Sequence, residues 1–176
     1  MRARALQWLA QREHSRSELR RKLLRRPLAA AAQPDPRPDP ALVDQLLDAL
    51  QQQGWLSDER FVAARVRTRA PRQGLQRIRA ELTRHGLALD ADTAAALRES
   101  ELARAREVWQ RRFGQPAADA AERARQMRFL AGRGFAAEAI RRAVPRAADP
   151  GASRAQDPDN PDDEPAADVG DDDAPR

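Results

Sequence analysis

The chain has 176 residues, with 32 Lys and Arg against 27 Asp and Glu, no Cys, no Tyr, and aromatics at only 4%. This length suits one ordinary domain or a short array of small helical units; the scarcity of strand formers argues against a β-rich fold, and the absence of Cys excludes a disulfide framework or a thiolate zinc site. The net charge of +5 is uneven: residues 149–176 hold ten acids against Arg154 and Arg176, leaving an excess of +13 (30 basic, 17 acidic) on the rest, almost all of it Arg because Lys22 is the only lysine.

Residues 3–12 and 16–26 read as two short amphipathic helices. Pro34 to Pro40 places Pro at every second position, which excludes helix and ladder pairing and predicts a stiff, extended loop. Leu42, Val43, Leu46, Leu47 and Leu50 then form one apolar stripe of a helix. Helices follow at 58–70, around Leu75, Ile78 and Leu82, and at 90–99. Leu102, Ala105, Trp109 and Phe113 mark the next stripe, and 118–132 and 136–144 complete about nine helices. Residues 149–176 have Val169 as their one large apolar group and read as a disordered acidic tail.

A pattern repeats at the corners: Leu, three residues, Gly, an apolar residue, two residues, an acid. It occurs as Leu50-Gly54-Trp55-Asp58, Leu82-Gly86-Leu87-Asp90 and Leu130-Gly134-Phe135-Glu138. Leu ends a buried stripe, Gly in the left-handed conformation closes the helix, and the apolar residue folds back. The acid then lies near the positive end of the next helix. A degraded first copy has Pro27 four residues after Leu23 in place of Gly. The fold class expected is therefore all-α: three tandem three-helix repeats in an elongated array. Their bounds are 1–56 (with a Pro-rich insertion at 27–40), 57–100 and 101–148, followed by the tail at 149–176.

The chain offers little for catalysis. Lys22 has no Gly-rich loop before it, and neither Gly-x-Ser-x-Gly nor His-Glu-x-x-His occurs. His14 and His85 fall in different units and read as exposed helix-end residues, not metal ligands. Asp58 and Glu59 read as helix N-terminal charge. Trp8, Trp55 and Trp109, with Phe61, Phe113, Phe129 and Phe135, read as core packing, although Trp can also stack on bases. No catalytic residue, cofactor or metal is expected, nor any membrane span or signal peptide, and the expected location is the cytoplasm.

The arginines carry more information. Arg65 and Arg69 share a helix face, with Arg72 just beyond. Arg77 and Arg84 lie one helix later. Arg16 and Arg20 share a face near Arg21, Lys22, Arg25 and Arg26. GC-rich coding is one account of choosing Arg over Lys, but it leaves the imbalance of sign unexplained. A solvated face is the plain reading of such stripes. Their recurrence in two units favours contact with phosphates or acidic protein surface through Arg16, Arg20, Arg21, Lys22, Arg25, Arg65, Arg69, Arg72, Arg77 and Arg84.

The stretch Gly54-Trp55-Leu56-Ser57-Asp58-Glu59-Arg60-Phe61 resembles the Gly-aromatic-Leu-x-Asp-x-Arg-Phe segment of RecX regulatory proteins. Upstream, Ala5-Leu6-x-Trp8-Leu9-Ala10-x-Arg12-x-x-Ser15-x-x-Glu18-Leu19-x-x-Lys22-Leu23 is similar to that family's opening helical pair. Gly74-x-x-x-Ile78-x-x-Glu81-Leu82-x-x-x-Gly86 resembles its second-unit helix and turn. The resemblance implies three tandem three-helix repeats and a non-enzymatic role in DNA repair and homologous recombination. It implies binding to the RecA recombinase filament on single-stranded DNA, with inhibition of ATPase and strand exchange; a monomer is expected. Pro27, the insertion and the acidic tail depart from the family pattern. The tail's charge could compete with DNA for the Arg faces. The other reading kept open is a stand-alone helix-turn-helix DNA-binding protein using 42–70 in a major groove.

Overall fold

The computed structural model describes residues 1–25 and 38–146, so the Pro-rich loop and the acidic tail lie outside the described residues, apart from the loop's last three positions. The described residues form nine α-helices and no strand. These are α1 (Arg2–Gln11), α2 (Arg16–Leu24), α3 (Pro40–Gln52), α4 (Asp58–Arg69), α5 (Leu75–Thr83), α6 (Ala91–Glu99), α7 (Glu101–Arg112), α8 (Ala120–Gly132) and α9 (Ala137–Ala143). Their starts follow local chemistry. Side chains of Ser15, Asp39, Ser57, Asp90 and Asp119 each accept a backbone N–H from the first turn they precede.

The helices bury three separate apolar clusters, which divides the chain into three tandem three-helix units. Ala5, Leu19, Leu23, Val43, Leu47, Leu50 and Leu56 form the first. Phe61, Leu75, Ile78, Leu82 and Leu97 form the second. Trp109, Leu130, Phe135, Ile140 and Val144 are the large members of the third. The α3 stripe is buried at Val43, Leu47 and Leu50, but Leu42 at its edge is exposed.

Each Leu-Gly corner closes by the same two hydrogen bonds. The amides of Gly54, Gly86 and Gly134 donate to the carbonyls of Gln51, Thr83 and Ala131, and the next amide donates to Leu50, Leu82 or Leu130. This is the Schellman arrangement, and φ is +74°, +74° and +77° at the three glycines. Several aromatic and histidine expectations differ from the structure; His85, expected to be exposed, is half-buried with its ring 4.9 Å from that of Phe61. Trp55 is 57% exposed, and the following Leu56 fills the core in its place. His14 is buried, 1% exposed, because the α1–α2 corner is covered by the second unit.

The units meet at two junctions built alike. At the first, the Arg16 N–H that opens α2 donates to Asp58 Oδ1, from the first residue of α4 (2.9 Å). At the second, the Leu75 N–H that opens α5 donates to Glu101 Oε1, from the first residue of α7 (3.0 Å). In each case the carboxylate that begins one unit serves the middle helix of the unit before it. That helix end carries unpaired N–H groups and partial positive charge.

A corner of the following unit completes each junction. Ser15 Oγ lies 2.9 Å from His85 Nδ1, and Ser17 Oγ donates to the His85 carbonyl at 2.8 Å. At the second junction the contact is main chain against main chain. Gly74 N–H donates to the Arg133 carbonyl (2.9 Å) and Gln76 N–H to the Gly134 carbonyl (3.2 Å). A Cβ on Gly74 would stand 2.1 Å from the Gly134 oxygen, and one on Gly134 would stand 2.5 Å from the Arg77 nitrogen.

Gly74 has an ordinary φ of −77°, so only the steric clash opposes a side chain there. Gly74→Ala should cost about 3 kcal/mol or more through overpacking. Gly54→Ala and Gly86→Ala, with positive φ but open space, should cost about 1 kcal/mol. Urea unfolding of the three variants checks this order, and equal losses would contradict it.

The first junction also titrates. Burial would raise the Glu18 carboxyl, but hydrogen bonds from Arg12, with His14 beside it, bring it down to about 2. Burial pushes His14 and His85 below the usual histidine value of 6.5. A base with a lowered folded pKa gives full stability above 6.5, and that stability falls as pH drops below it. The Glu18 contribution is complete above its ordinary value of 4.5 and is lost as pH falls towards 2. The thermal midpoint should therefore decline in two stages on acidification, and Glu18→Gln should shrink the second. A midpoint flat from pH 7 to 3 would overturn this assignment.

Candidate nucleic-acid and partner interface

The cationic residues singled out in the sequence divide by what they touch. Arg16 and Arg20 lie against α3: Arg16 Nη1 is 2.7 Å from Asp48 Oδ1 and donates to Gln51, and Arg20 makes a two-pronged contact with Asp44 at 2.7 and 3.0 Å. The Arg20 hydrogen bond, with its charge, holds the Asp44 carboxyl below the usual range. Lys22 sits 3.7 Å from Glu18 and 5.1 Å over the Trp8 ring. Arg65 and Arg69 both turn to Glu81, at 3.5 and 3.0 Å. These groups join the helices of one unit to each other. Arg25 is exposed just past α2.

The others converge. Arg21 from the first unit and Arg69, Arg77 and Arg84 from the second line a polar recess of about 500 Å³, with Gln73, Glu81 and His85. Arg77 donates to the Gly132 carbonyl (3.0 Å) and Arg84 to the Ala80 carbonyl (3.2 Å). Among the described residues, Arg21, Arg77 and Arg84 have no carboxylate within 4.0 Å, so the recess keeps positive charge that the fold does not neutralise. A guanidinium held by carbonyls is positioned while its remaining N–H groups face outward, the form that suits phosphate or carboxylate.

Arg72 belongs elsewhere. It lines a second recess with Val108, Arg111, Arg112, Phe129 and Arg133, three of them arginines absent from the sequence reading. Arg111 lies in α7 and Arg133 just past the end of α8, so no single helical stripe connects them. Phe113 and Phe129, expected in the core, are only partly buried and meet edge to face, with centroids 5.2 Å apart. Trp109 is buried as expected, its indole N–H donating to Gln126 Oε1 (2.8 Å). Among the described residues no cluster of three or more His, Asp or Glu could hold a metal ion, and no helix is long and apolar enough to cross a membrane.

Residues 57–95 match the model of the second three-helix domain of RecX, and residues 99–144 match the third. The regulatory protein RecX of Leptothrix cholodnii is 51% identical over 146 residues, covering 82% of this chain and 87% of the relative. The chain belongs to the RecX family. Regulatory RecX proteins of Ralstonia nicotianae and Chromobacterium violaceum are 46% and 37% identical, over 82% and 85% of this chain. The matched domains coincide with the second and third apolar clusters, so membership in this regulatory family and the tandem helical fold agree.

Arg16→Ala and Arg20→Ala should lower the unfolding midpoint, because each breaks a contact between α2 and α3. Arg21→Ala and Arg84→Ala should leave the unfolding free energy within about 0.5 kcal/mol of the parent, as substitutions at solvent-facing positions do. Thermal unfolding of the four variants checks this, and a large loss in the second pair would mean that the recess is structural.

Proposed function

We propose that this chain is a non-enzymatic modulator that binds the RecA recombinase filament on single-stranded DNA and restrains its ATPase and strand exchange. The observation that carries this reading is the recess where, among the described residues, Arg21, Arg77 and Arg84 from two successive units have no carboxylate within 4.0 Å, while Arg69 beside them is matched to Glu81. Family membership supplies the regulatory role, and the recess supplies chemistry suited to a charged polymer. Repeated units that each make modest contacts along such a polymer gain affinity through avidity and need no deep pocket. A protein bridging neighbouring subunits opposes the rearrangement that ATP turnover requires, which is a population shift towards the bridged state. This reading takes the chain to act as a cytoplasmic monomer.

The stand-alone helix-turn-helix reading has less support. Its recognition helix would be α4, whose Arg65 and Arg69 are spent on Glu81 and so are not free for base edges.

Addition of the protein should lower recombinase ATPase on single-stranded DNA. The Arg21→Ala/Arg84→Ala variant should need about tenfold more protein or higher for half-inhibition, since each lost charged hydrogen bond is worth roughly 1.5 kcal/mol. Unchanged ATPase at saturating parent protein would overturn the proposal.

A further inference from the structure

We propose that the third unit carries its own strand-binding site, a recess around Phe129 that takes the phosphates and unpaired bases of single-stranded nucleic acid. Arg72, Arg111, Arg112 and Arg133 surround a hollow of about 310 Å³ in which no carboxylate takes part. A neighbouring hollow of similar size shares Arg112 and Phe129 and adds Phe113 and Arg125, so the two form one continuous surface.

The way these arginines are held sets them apart from the others. Arg133 lies 3.9 Å over the Phe129 ring, and Arg112 lies 5.9 Å from Phe129 and 6.0 Å from Phe113. Arg111 donates to the Pro71 carbonyl at 2.8 Å. Among the described residues, none of Arg72, Arg111, Arg112 and Arg133 has a carboxylate within 4.0 Å, whereas Arg20 and Arg69 are each matched to one. Aromatic faces and a carbonyl fix the position of the charge without cancelling it. Four like charges gathered without internal compensation repel, and a polyanion from outside removes that repulsion.

The aromatic component selects the kind of polyanion. Arg planes and partly exposed Phe rings give stacking surfaces for bases that are not paired, while the guanidinium edges take phosphates in two-pronged fashion. An acidic peptide would use the charge and leave the aromatic surface idle. A duplex would present phosphates but keep its bases stacked on each other. The fit is therefore to a single strand, in contact with the chain directly and without recombinase.

This inference deepens the preceding reading by giving the strand a separate site, and its test omits recombinase so that the two can fail independently. The full chain is titrated into a fluorescently labelled oligothymidylate and followed by anisotropy over a range of salt. Arg111→Ala/Arg133→Ala should weaken binding about tenfold or more. It should also reduce the slope of log affinity against log salt by about 1.4, the value for two phosphate contacts on a single strand. Arg21→Ala/Arg84→Ala, equal in lost charge, should weaken it less, and a duplex of the same length should bind more weakly than the single strand. If the alanine pair perturbs folding, Arg111→Lys/Arg133→Lys keeps the charge but loses the planar stack, and it should still bind more weakly than the parent. Parent affinity and slope in the alanine pair would overturn the proposal. So would equal loss in both alanine pairs, parent affinity in the lysine pair, or displacement of the strand by a polyglutamate peptide as effectively as by unlabelled oligothymidylate.

Discussion

A carboxylate reaching across a junction to cap a neighbour's helix is the interaction on which the rest of this structure depends. Asp58 does this for α2 and Glu101 does it for α5, each from the first residue of a unit. A unit of roughly forty residues buries too little apolar surface to be robust alone. Joining it to its neighbour requires burying a helix end whose N–H groups would otherwise lack partners. A carboxylate settles both requirements at once, supplying the acceptor and placing negative charge against the positive end of the helix dipole. The relative placement of Arg21 and Arg84, which belong to different units, follows from that joint.

The same division of labour runs through the charged residues. Where two helices of one unit must be held together, an arginine meets an acid: Arg16 and Arg20 meet Asp48 and Asp44, and Arg65 and Arg69 meet Glu81. Elsewhere arginines are held by carbonyls or rings: Arg77 and Arg111 reach carbonyls of the neighbouring unit, Arg84 a carbonyl of its own helix end, and Arg133 lies over the Phe129 ring. The excess of basic residues is thus in part structural cement.

Much of the fold could be read from the amino acids because its rules are local. A Schellman corner is a matter of a few consecutive residues, and Leu50-Gly54, Leu82-Gly86 and Leu130-Gly134 all announce one. The residue after each glycine was harder, since its amide is committed but its side chain is not. Phe135 goes in, Leu87 goes part-way and Trp55 stays out with Leu56 in its place. His14 was misread because its cover comes from the next unit, invisible to any pattern within α1 and α2. The basic surface was the least legible part. Whether Arg69 is neutral in effect depends on Glu81 twelve positions away across a turn, and the group around Phe129 is assembled from a loop and two helices.

The contact between Gly74 and Gly134 has a mechanical consequence. Two backbones that touch at one point leave no room there for a side chain, so any residue other than glycine at either position would push the second and third units apart. The first joint runs instead through the Ser15 and Ser17 hydroxyls to His85.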